Sequence, residues 1–248
     1  IVIAVCGKGG VGKTVFSSCL VRTLSEMGKK VLAVDADPAG GLSYMLGLPS
    51  DIKTLGEAKN DLIARARANR NADEIIETLN YLLLNSLYEM DKFDFLGMGK
   101  SQQRGCFCSV NSLLKDAIQK IGDNYDAVVI DAEAGLEQIN REVMSSVNRI
   151  AILVDGSRRS VNSMESIIKL TEYLRINASI GIVWNRQMDF DLAKNKILFE
   201  TNIPILGVGV MPEDGLLRHN DAIGKTIFEL PNDSPLLESV KDTLKFLI

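Results

Sequence analysis

The segment from Gly7 to Thr14 constrains this chain more than any other part of its sequence. It reads Gly-Lys-Gly-Gly-Val-Gly-Lys-Thr and lies between an apolar run, Ile1–Cys6, and a helical pattern, Lys13–Met27. The spacing is that of a P-loop, in which glycines let backbone N–H groups converge on phosphate oxygens. The helix that follows directs the positive end of its dipole at the same anion. The segment therefore predicts a strand, a phosphate-binding loop and a helix, in that order.

Two residues of this loop and one later aspartate carry the predicted chemistry. Lys13 is expected to reach the β- and γ-phosphates of a nucleotide, and Thr14 to ligate Mg²⁺. An apolar strand that ends in Asp131 has the Walker B pattern, whose carboxylate contacts Mg²⁺ through water. Lys13 and Asp131 are therefore predicted catalytic residues. The residues predicted to bind ATP around the loop are Gly7, Lys8, Gly9, Gly10, Val11, Gly12, Lys13, Thr14 and Val15.

Apolar runs alternate with helical patterns along the whole chain. Continuous, partly β-branched runs are typical of parallel strands buried on both faces. The predicted strands are Ile1–Cys6, Val31–Asp35, Phe93–Met98, Ala127–Asp131, Arg149–Val154, Ile180–Trp184 and Ile205–Met211. The predicted helices are Lys13–Met27, Asp73–Met90, Val110–Ile121, Leu136–Ser146, Val161–Leu174, Leu192–Glu200 and Leu236–Phe246. This alternation predicts a single-domain, doubly wound α/β fold over residues 1–248, with a mostly parallel sheet flanked by helices.

Composition narrows the classes of function. The chain has 248 residues, of which 46% are hydrophobic, and its net charge is −4. This mild acidity favours neither nucleic acid nor an anionic membrane as a partner, and no apolar run is long enough for a membrane span. With four cysteines and no secretion signal in view, we expect a reducing, cytoplasmic location. A single histidine leaves thiolates or carboxylates as the metal ligands.

Lys8 makes the loop resemble a particular family. Lys8 through Thr14 is similar to the deviant Walker A motif of the ParA/MinD/nitrogenase iron protein family of P-loop NTPases. The resemblance implies ATP hydrolysis by an ATP-sandwich homodimer, with Lys8 touching the phosphates of the partner subunit's nucleotide as a catalytic residue. It also implies that Asp37, after the second predicted strand, is the catalytic switch residue. Together with Thr14 and Asp131, Asp37 is an expected magnesium contact.

The same resemblance implies where the base binds. Asn185, at the end of the sixth predicted strand, is similar to the family's adenine-binding asparagine, since an amide offers a donor and an acceptor. Arg186 follows it directly. Pro212 and Glu213 follow the seventh predicted strand and resemble the family's second adenine-contacting loop.

Cys106 and Cys108 form a C-x-C pair that the nucleotide site does not explain. They follow the third predicted strand and precede the predicted helix Val110–Ile121. A helix N-terminus favours the thiolate form of cysteine. One pair cannot complete a four-ligand site, but two pairs facing each other in a dimer supply four thiolates, which suits Zn²⁺ or Ni²⁺. Cys6 and Cys19 are expected to be small buried apolar residues.

The C-x-C pair extends the resemblance to the CooC-type nickel-insertion ATPases. The segment from Glu133 to Glu137 is similar to the Glu-Ala-Gly signature of that group. The resemblance implies a metallochaperone that binds nickel or zinc across its dimer. Its client would be carbon monoxide dehydrogenase or acetyl-CoA synthase.

Three alternatives stay open. A ParA/MinD-like partitioning or positioning ATPase would hydrolyse ATP without metal. An iron–sulfur ATP-dependent reductase would need a switch II cysteine, and the sequence has none between Asp131 and Arg141. An ATP-dependent amide-forming synthase would need a substrate pocket that the sequence does not reveal.

Overall fold

The sheet is the central feature of the computed structural model, which describes residues 1–37, 39–58, 60, 81–83, 85–99, 115, 118–132, 146–186 and 201–248. Within these residues eight strands form one sheet in the order β3-β4-β2-β5-β1-β6-β7-β8. The strands are β1 Val2–Gly7, β2 Val31–Asp35, β3 Leu87–Glu89, β4 Asp94–Gly97, β5 Ala127–Asp131, β6 Arg149–Val154, β7 Ser179–Asn185 and β8 Ile205–Met211. All neighbours pair in parallel except β3 and β4. The predicted doubly wound, mostly parallel α/β fold is confirmed.

Helices pack on both faces of this sheet. Those with described bounds are α1 Lys13–Glu26, α2 Gly41–Leu46, α3 Arg158–Tyr173, α4 Gly215–Ala222 and α5 Pro235–Leu247. The predictions for α1, α3 and α5 are confirmed to within a few residues at each end, whereas α2 and α4 were not predicted. The predicted helix Val110–Ile121 is described at 115 and 118–121, where it is helical. The predicted helix Leu192–Glu200 lies outside the described residues, as does Leu136–Ser146 apart from Ser146 itself, which is in a turn.

One helix prediction was wrong at its end. The predicted helix Asp73–Met90 is helical at 81–83 and 85–86, but Leu87–Glu89 forms β3, antiparallel to β4. Met90 donates its backbone N–H to the carbonyl of Phe93 at 3.0 Å and so closes a hairpin. A short apolar run has the same pattern in a buried helix as in a strand, so only pairing with β4 distinguishes the two.

Alternate residues of each central strand pack into two separate hydrophobic cores, one on each face of the sheet. In β1, Ile3 and Val5 pack with α1 and α5, whereas Ala4 and Cys6 face the layer that contains α3. Side chains of a strand point alternately to opposite faces, so a strand covered on both sides is apolar throughout. None of the helices in the described ranges is both long and apolar enough to cross a membrane.

Arg22 fastens α1 to the chain that precedes α5. Its side chain is 2% exposed. It donates to the carbonyl oxygens of Ile227 and Leu230 at 2.6 and 2.7 Å, and also to Asn232 Oδ1 and Glu26. A buried charge is tolerated because hydrogen bonds replace the water it has lost. This contact therefore holds the phosphate-loop helix against the segment that leads into α5.

We predict that Arg22→Met lowers the free energy of unfolding by about 3 kcal/mol, because two buried carbonyl groups lose their donor. Urea denaturation monitored by circular dichroism measures the change. Arg159→Met, at an exposed position of α3, is the matched control and should change stability by less than about 0.5 kcal/mol. Equal stability of the two variants would contradict this role for Arg22.

Candidate nucleotide-binding site

The loop between β1 and α1 requires glycine at several positions. Gly7, Gly10 and Gly12 have φ angles of 142°, 74° and 97°, a region that other residues rarely adopt. A Cβ atom on Gly7 would lie 2.6 Å from the carbonyl oxygen of Leu153. One on Gly12 would clash with Asn185 Nδ2. The backbone therefore requires glycine at these three positions, and close neighbours also exclude a larger residue at Gly7 and Gly12.

The N-terminus of α1 has the features of an anion-binding site. Its N-cap residue, Gly12, has no side chain, and no acidic residue lies in the first turn. The N–H groups there receive no side-chain cap from the described residues, which leaves them free for phosphate oxygens. Lys13 is buried and donates from Nζ to the carbonyl oxygen of Lys8 at 3.3 Å, which holds its charge under the loop.

Two carboxylates lie side by side at the carboxyl edge of the sheet. Asp35 ends β2, Asp131 ends β5, and the two residues are paired in register. Asp131 accepts hydrogen bonds from Thr14 Oγ1 at 2.7 Å and from Ser17 Oγ at 2.9 Å. Asp35 accepts the backbone N–H groups of Asp37 and Leu42. The structure thus brings Thr14 and Asp131 together, and Asp35 orders the chain that contains Asp37.

Burial dominates the electrostatics of both carboxylates. It raises the pKa of Asp131 to about 6, although hydrogen bonds from Thr14 and Ser17 and the charge of Lys13 act to lower it. Burial, followed by the charge of Asp131, raises the pKa of Asp35 to about 7. Buried carboxylates gain from a nearby cation, and carboxylate with hydroxyl oxygen is the donor chemistry that Mg²⁺ prefers. Thr14 and Asp131 therefore fit a magnesium site.

Asp37 lies in a turn at the same edge of the sheet. Its Oδ1 accepts the backbone N–H of Ala39 at 2.8 Å, and its carbonyl accepts that of Gly40 at 3.0 Å. The charge of Asp37 is close enough to Asp131 to raise the pKa of Asp131. The structure therefore brings Asp37 to the same group of carboxylates, next to the phosphate loop.

Lys8 contacts a residue that the sequence analysis missed. Its Nζ donates to Asp155 Oδ2 at 2.8 Å and to Ser157 Oγ at 3.3 Å. Asp155 could have been found from its position, because it directly follows β6 in the same way that Asp131 ends β5. Strands that run parallel end at one edge, so a polar residue after any of them can reach the loop.

A cavity of about 190 Å³ lies beside the loop, at the ends of β7 and β8. Its lining includes all four residues predicted to contact the base, which are Asn185, Arg186, Pro212 and Glu213. Gly12 and Val15 of the phosphate loop and α1 line it as well. Asn185 is buried and donates from Nδ2 to the carbonyl oxygen of Val11 at 2.7 Å. This bond fixes the side-chain amide. Among the described residues no hydrogen bond to Oδ1 is seen, and an amide oxygen is an acceptor that suits the exocyclic amino group of adenine.

The lining also includes residues that sequence reasoning did not select. Asp214 caps α4 by accepting the N–H groups of Leu216 and Leu217, and it accepts a third hydrogen bond from Ser234. Arg218 pairs with Glu213 on the rim. Asp214 could have been found as an N-cap signal before an apolar pair, although α4 itself was not predicted.

The predicted metal ligands Cys106 and Cys108 lie outside the described residues, as does the Glu133–Glu137 segment. Among the residues that are described, no group of three or more His, Cys, Asp or Glu side chains is arranged to hold a metal ion. Cys6 and Cys19 are buried free thiols, as expected, and burial raises the pKa of each to about 12. They remain protonated at neutral pH and are unsuited to ligation.

We predict that Asp131→Asn stabilises the protein in the absence of nucleotide and divalent cation. The folded state raises the pKa of Asp131 from 3.8 to about 6. Ionisation of this carboxylate therefore opposes folding by an amount that grows between these two pH values and reaches its full size above pH 6. An amide avoids that penalty, and the neighbouring hydroxyls can rotate to pair with it. Urea denaturation at pH 8 should show a gain of about 3 kcal/mol.

The pH dependence separates this effect from a change in packing. The advantage of the variant should shrink as pH falls from 6 toward 4, because wild-type Asp131 then becomes protonated in the folded state. Asp233→Asn, at an exposed position, removes the same charge and should show no such trend. A variant less stable than wild type at pH 8 would contradict the prediction.

The sequence of this chain is similar to those of known ATP-binding proteins. The AAA domain family matches residues 1–182. An uncharacterized ATP-binding protein of Methanocaldococcus jannaschii is 31% identical over 100% of this chain and 98% of its own length. The carbon monoxide dehydrogenase accessory protein CooC of Rhodospirillum rubrum is 26% identical over 92% of this chain and 89% of its own.

Solved structures agree on the fold. The cell division ATPase MinD of Pyrococcus furiosus superimposes with a TM-score of 0.71 at 22% identity, covering 100% of this chain and 99% of its own. MinD of Pyrococcus horikoshii, solved with Mg-ADP, gives a TM-score of 0.68 at 22% identity over 98% and 93%. The chain therefore belongs to the AAA domain family and is a P-loop ATPase with the fold of the MinD and ParA proteins.

Proposed function

We propose that this ATPase is a metallochaperone: a nucleotide-gated homodimer that binds Ni²⁺ or Zn²⁺ through Cys106 and Cys108 of each subunit. It would deliver nickel to a client metalloenzyme, carbon monoxide dehydrogenase or acetyl-CoA synthase. The C-x-C pair carries this proposal, because nucleotide binding and hydrolysis do not require it. Similarity to the CooC protein along most of both chains supports the same assignment.

The position of β4 supports a link between the cysteines and the nucleotide. Gly97 ends β4 opposite Asp35, and Asp35 is in turn paired with Asp131. The chain therefore leaves β4 at the edge of the sheet that holds the carboxylates, shortly before Cys106. A segment anchored at this edge is suited to respond when a nucleotide binds there.

In the proposed hydrolysis step, loop N–H groups and Lys13 bind the phosphates. Thr14 and Asp131, with Asp37 nearby, would hold Mg²⁺, which would offset the charge of the phosphates. Asp37 orients the attacking water, and Asn185 selects adenine through its Oδ1. Lys8 reaches the phosphates of the partner subunit's nucleotide and acts there as an arginine finger does in other P-loop enzymes.

In the proposed cycle, closure of the dimer forms the metal site and reopening releases the ion. When two subunits close on ATP, two C-x-C pairs face each other and supply four thiolates, enough for tetrahedral Zn²⁺ or square-planar Ni²⁺. Hydrolysis reopens the dimer and separates the pairs. An ion that has lost half of its ligands is then released to the client.

Neither α5 nor the net charge of the chain supports the positioning alternative. A membrane-targeting helix needs an unburied apolar face, but the apolar residues of α5 pack into the core: Leu236, Leu237, Val240, Leu244 and Leu247. Its outer face carries two ion pairs, Lys241 with Glu238 and Lys245 with Asp242. A net charge of −4 also gives the chain no general attraction to DNA.

Metal titration tests the proposal. Reduced, metal-free protein is titrated with Ni²⁺ and Zn²⁺, with and without a non-hydrolysable ATP analogue, and its mass is followed by size-exclusion chromatography. We expect one ion per two chains, with tighter binding when the analogue is present. Replacement of both ligands in Cys106→Ala/Cys108→Ala should weaken binding by more than about 100-fold.

Cys19→Ala is the matched control, because it removes a thiol that is buried and protonated. It should bind metal as wild type does. Metal binding that survives the double replacement, or that is equally lost in Cys19→Ala, would overturn the metallochaperone proposal. An ATPase with an unidentified partner would remain.

A further inference from the structure

The pairing of β1 with β6 places Lys8 beside Asp155. Gly7, the last residue of β1, is in register with Leu153 in β6. Both chains then continue past the same edge of the sheet, so Lys8 and Asp155 emerge as neighbours. Their contact is therefore built into the sheet and does not depend on a long surface side chain meeting a chance partner.

Hydrogen bonds from its own loop hold Asp155 in one orientation, independently of Lys8. Its backbone N–H donates to Ser160 Oγ at 3.1 Å. Its Oδ1 accepts the backbone N–H of Ser157 at 3.1 Å and the hydroxyl of Ser157 at 2.6 Å. Ser157 also caps α3 by accepting the N–H of Ser160. The second oxygen, Oδ2, is left to accept from Lys8.

The charge on this acceptor is stable at neutral pH. Partial burial acts to raise the pKa of Asp155, but hydrogen bonds from Lys8 and Ser157 outweigh it and hold the pKa well below its usual range. The carboxylate is thus a full negative charge, as a phosphate is. Asp155 and a nucleotide phosphate are both anionic oxygen acceptors, so they can compete for the ammonium of Lys8.

The pair is also exposed enough to exchange. The side chains of Lys8 and Asp155 are 32% and 17% exposed, whereas Lys13 is buried beneath the loop. Partly exposed ion pairs are weak, because water competes for both charges. A lysine in such a pair can exchange it for a multiply charged phosphate at a small cost in free energy.

We propose that Asp155 and Ser157 form a latch that holds Lys8 within its own subunit, in competition with the nucleotide of the partner subunit. The inference rests on the homodimer of the proposed function. A subunit with Lys8 latched is not competent for closure, so the latched fraction raises the nucleotide concentration needed for dimerisation. Asp155 is a positioning residue in this scheme and does not touch the reacting atoms.

Asp155→Asn tests the latch with little change in shape. The amide oxygen can still accept from Ser157, but the negative charge that holds Lys8 is gone. Dimerisation is followed by light scattering during titration with a non-hydrolysable ATP analogue, without Ni²⁺ or Zn²⁺. We expect the midpoint to fall by about 3- to 10-fold, with steady-state ATPase half-saturation falling in parallel. Asp233→Asn, an exposed replacement with the same change in charge, should leave both unchanged.

Combination with Lys8→Ala excludes a structural effect. In the Lys8→Ala background, Asp155→Asn should have no further effect on the midpoint, since the latch no longer has an ammonium to hold. Thermal unfolding of each variant verifies that it folds. An unchanged or higher midpoint for Asp155→Asn, or an equal shift with and without Lys8, would overturn the latch.

Other outcomes separate this inference from the proposed function. Failure of both wild type and Asp155→Asn to dimerise at saturating analogue would overturn the homodimer and the latch together. Nucleotide-dependent dimers that bind no metal at Cys106 and Cys108 would overturn the metallochaperone assignment alone. In that case the shift caused by Asp155→Asn would still support the latch.

Discussion

The register of β1 between β5 and β6 is the constraint on which the rest of the site depends. On one side Val5 is paired with Asp131, and on the other Gly7 is paired with Leu153. The loop that follows β1 therefore emerges between a carboxylate at the end of β5 and another just beyond β6. A shift of either pairing by one residue would turn these side chains to the opposite face of the sheet.

This arrangement has a cost in stability that is concentrated at the site. Asp35 and Asp131 are buried next to each other, and burial raises the pKa of both. Gly7, Gly10 and Gly12 hold backbone conformations that other residues rarely adopt. The buried carboxylates oppose folding when they are ionised, and a bound cation offsets that penalty. The apolar strands of the remainder of the sheet are buried on both faces, and their burial stabilises the fold enough to offset the penalty at the site.

The two loop lysines differ in burial, and this difference separates their proposed roles. Lys13 lies under the loop and donates to the carbonyl oxygen of Lys8, so its charge is fixed where phosphates are expected. Lys8 lies at the surface in a pair with Asp155. A buried charge is committed to one position, because moving it would leave partners unsatisfied. A half-exposed charge can change partners, which is the property that a contact between subunits requires.

Local patterns were enough to predict much of the fold. The phosphate loop, the parallel strands, and helices α1, α3 and α5 all follow from residues close in sequence, because glycine spacing and apolar periodicity act over a few turns. The same locality explains the errors. β3 became a strand only by pairing with β4, and α2 and α4 are too short for a clear period.

The sequence by itself determined the chemistry that this chain carries: a phosphate loop, carboxylates at the ends of strands, and a pair of thiols. The tertiary structure decided which of these groups meet. It placed Thr14 against Asp131, gathered the base-contact candidates around one cavity, and gave Lys8 the partner Asp155. The physical reason is that each contact joins residues more than a hundred positions apart or on separate strands, so only the order and register of the sheet can specify it.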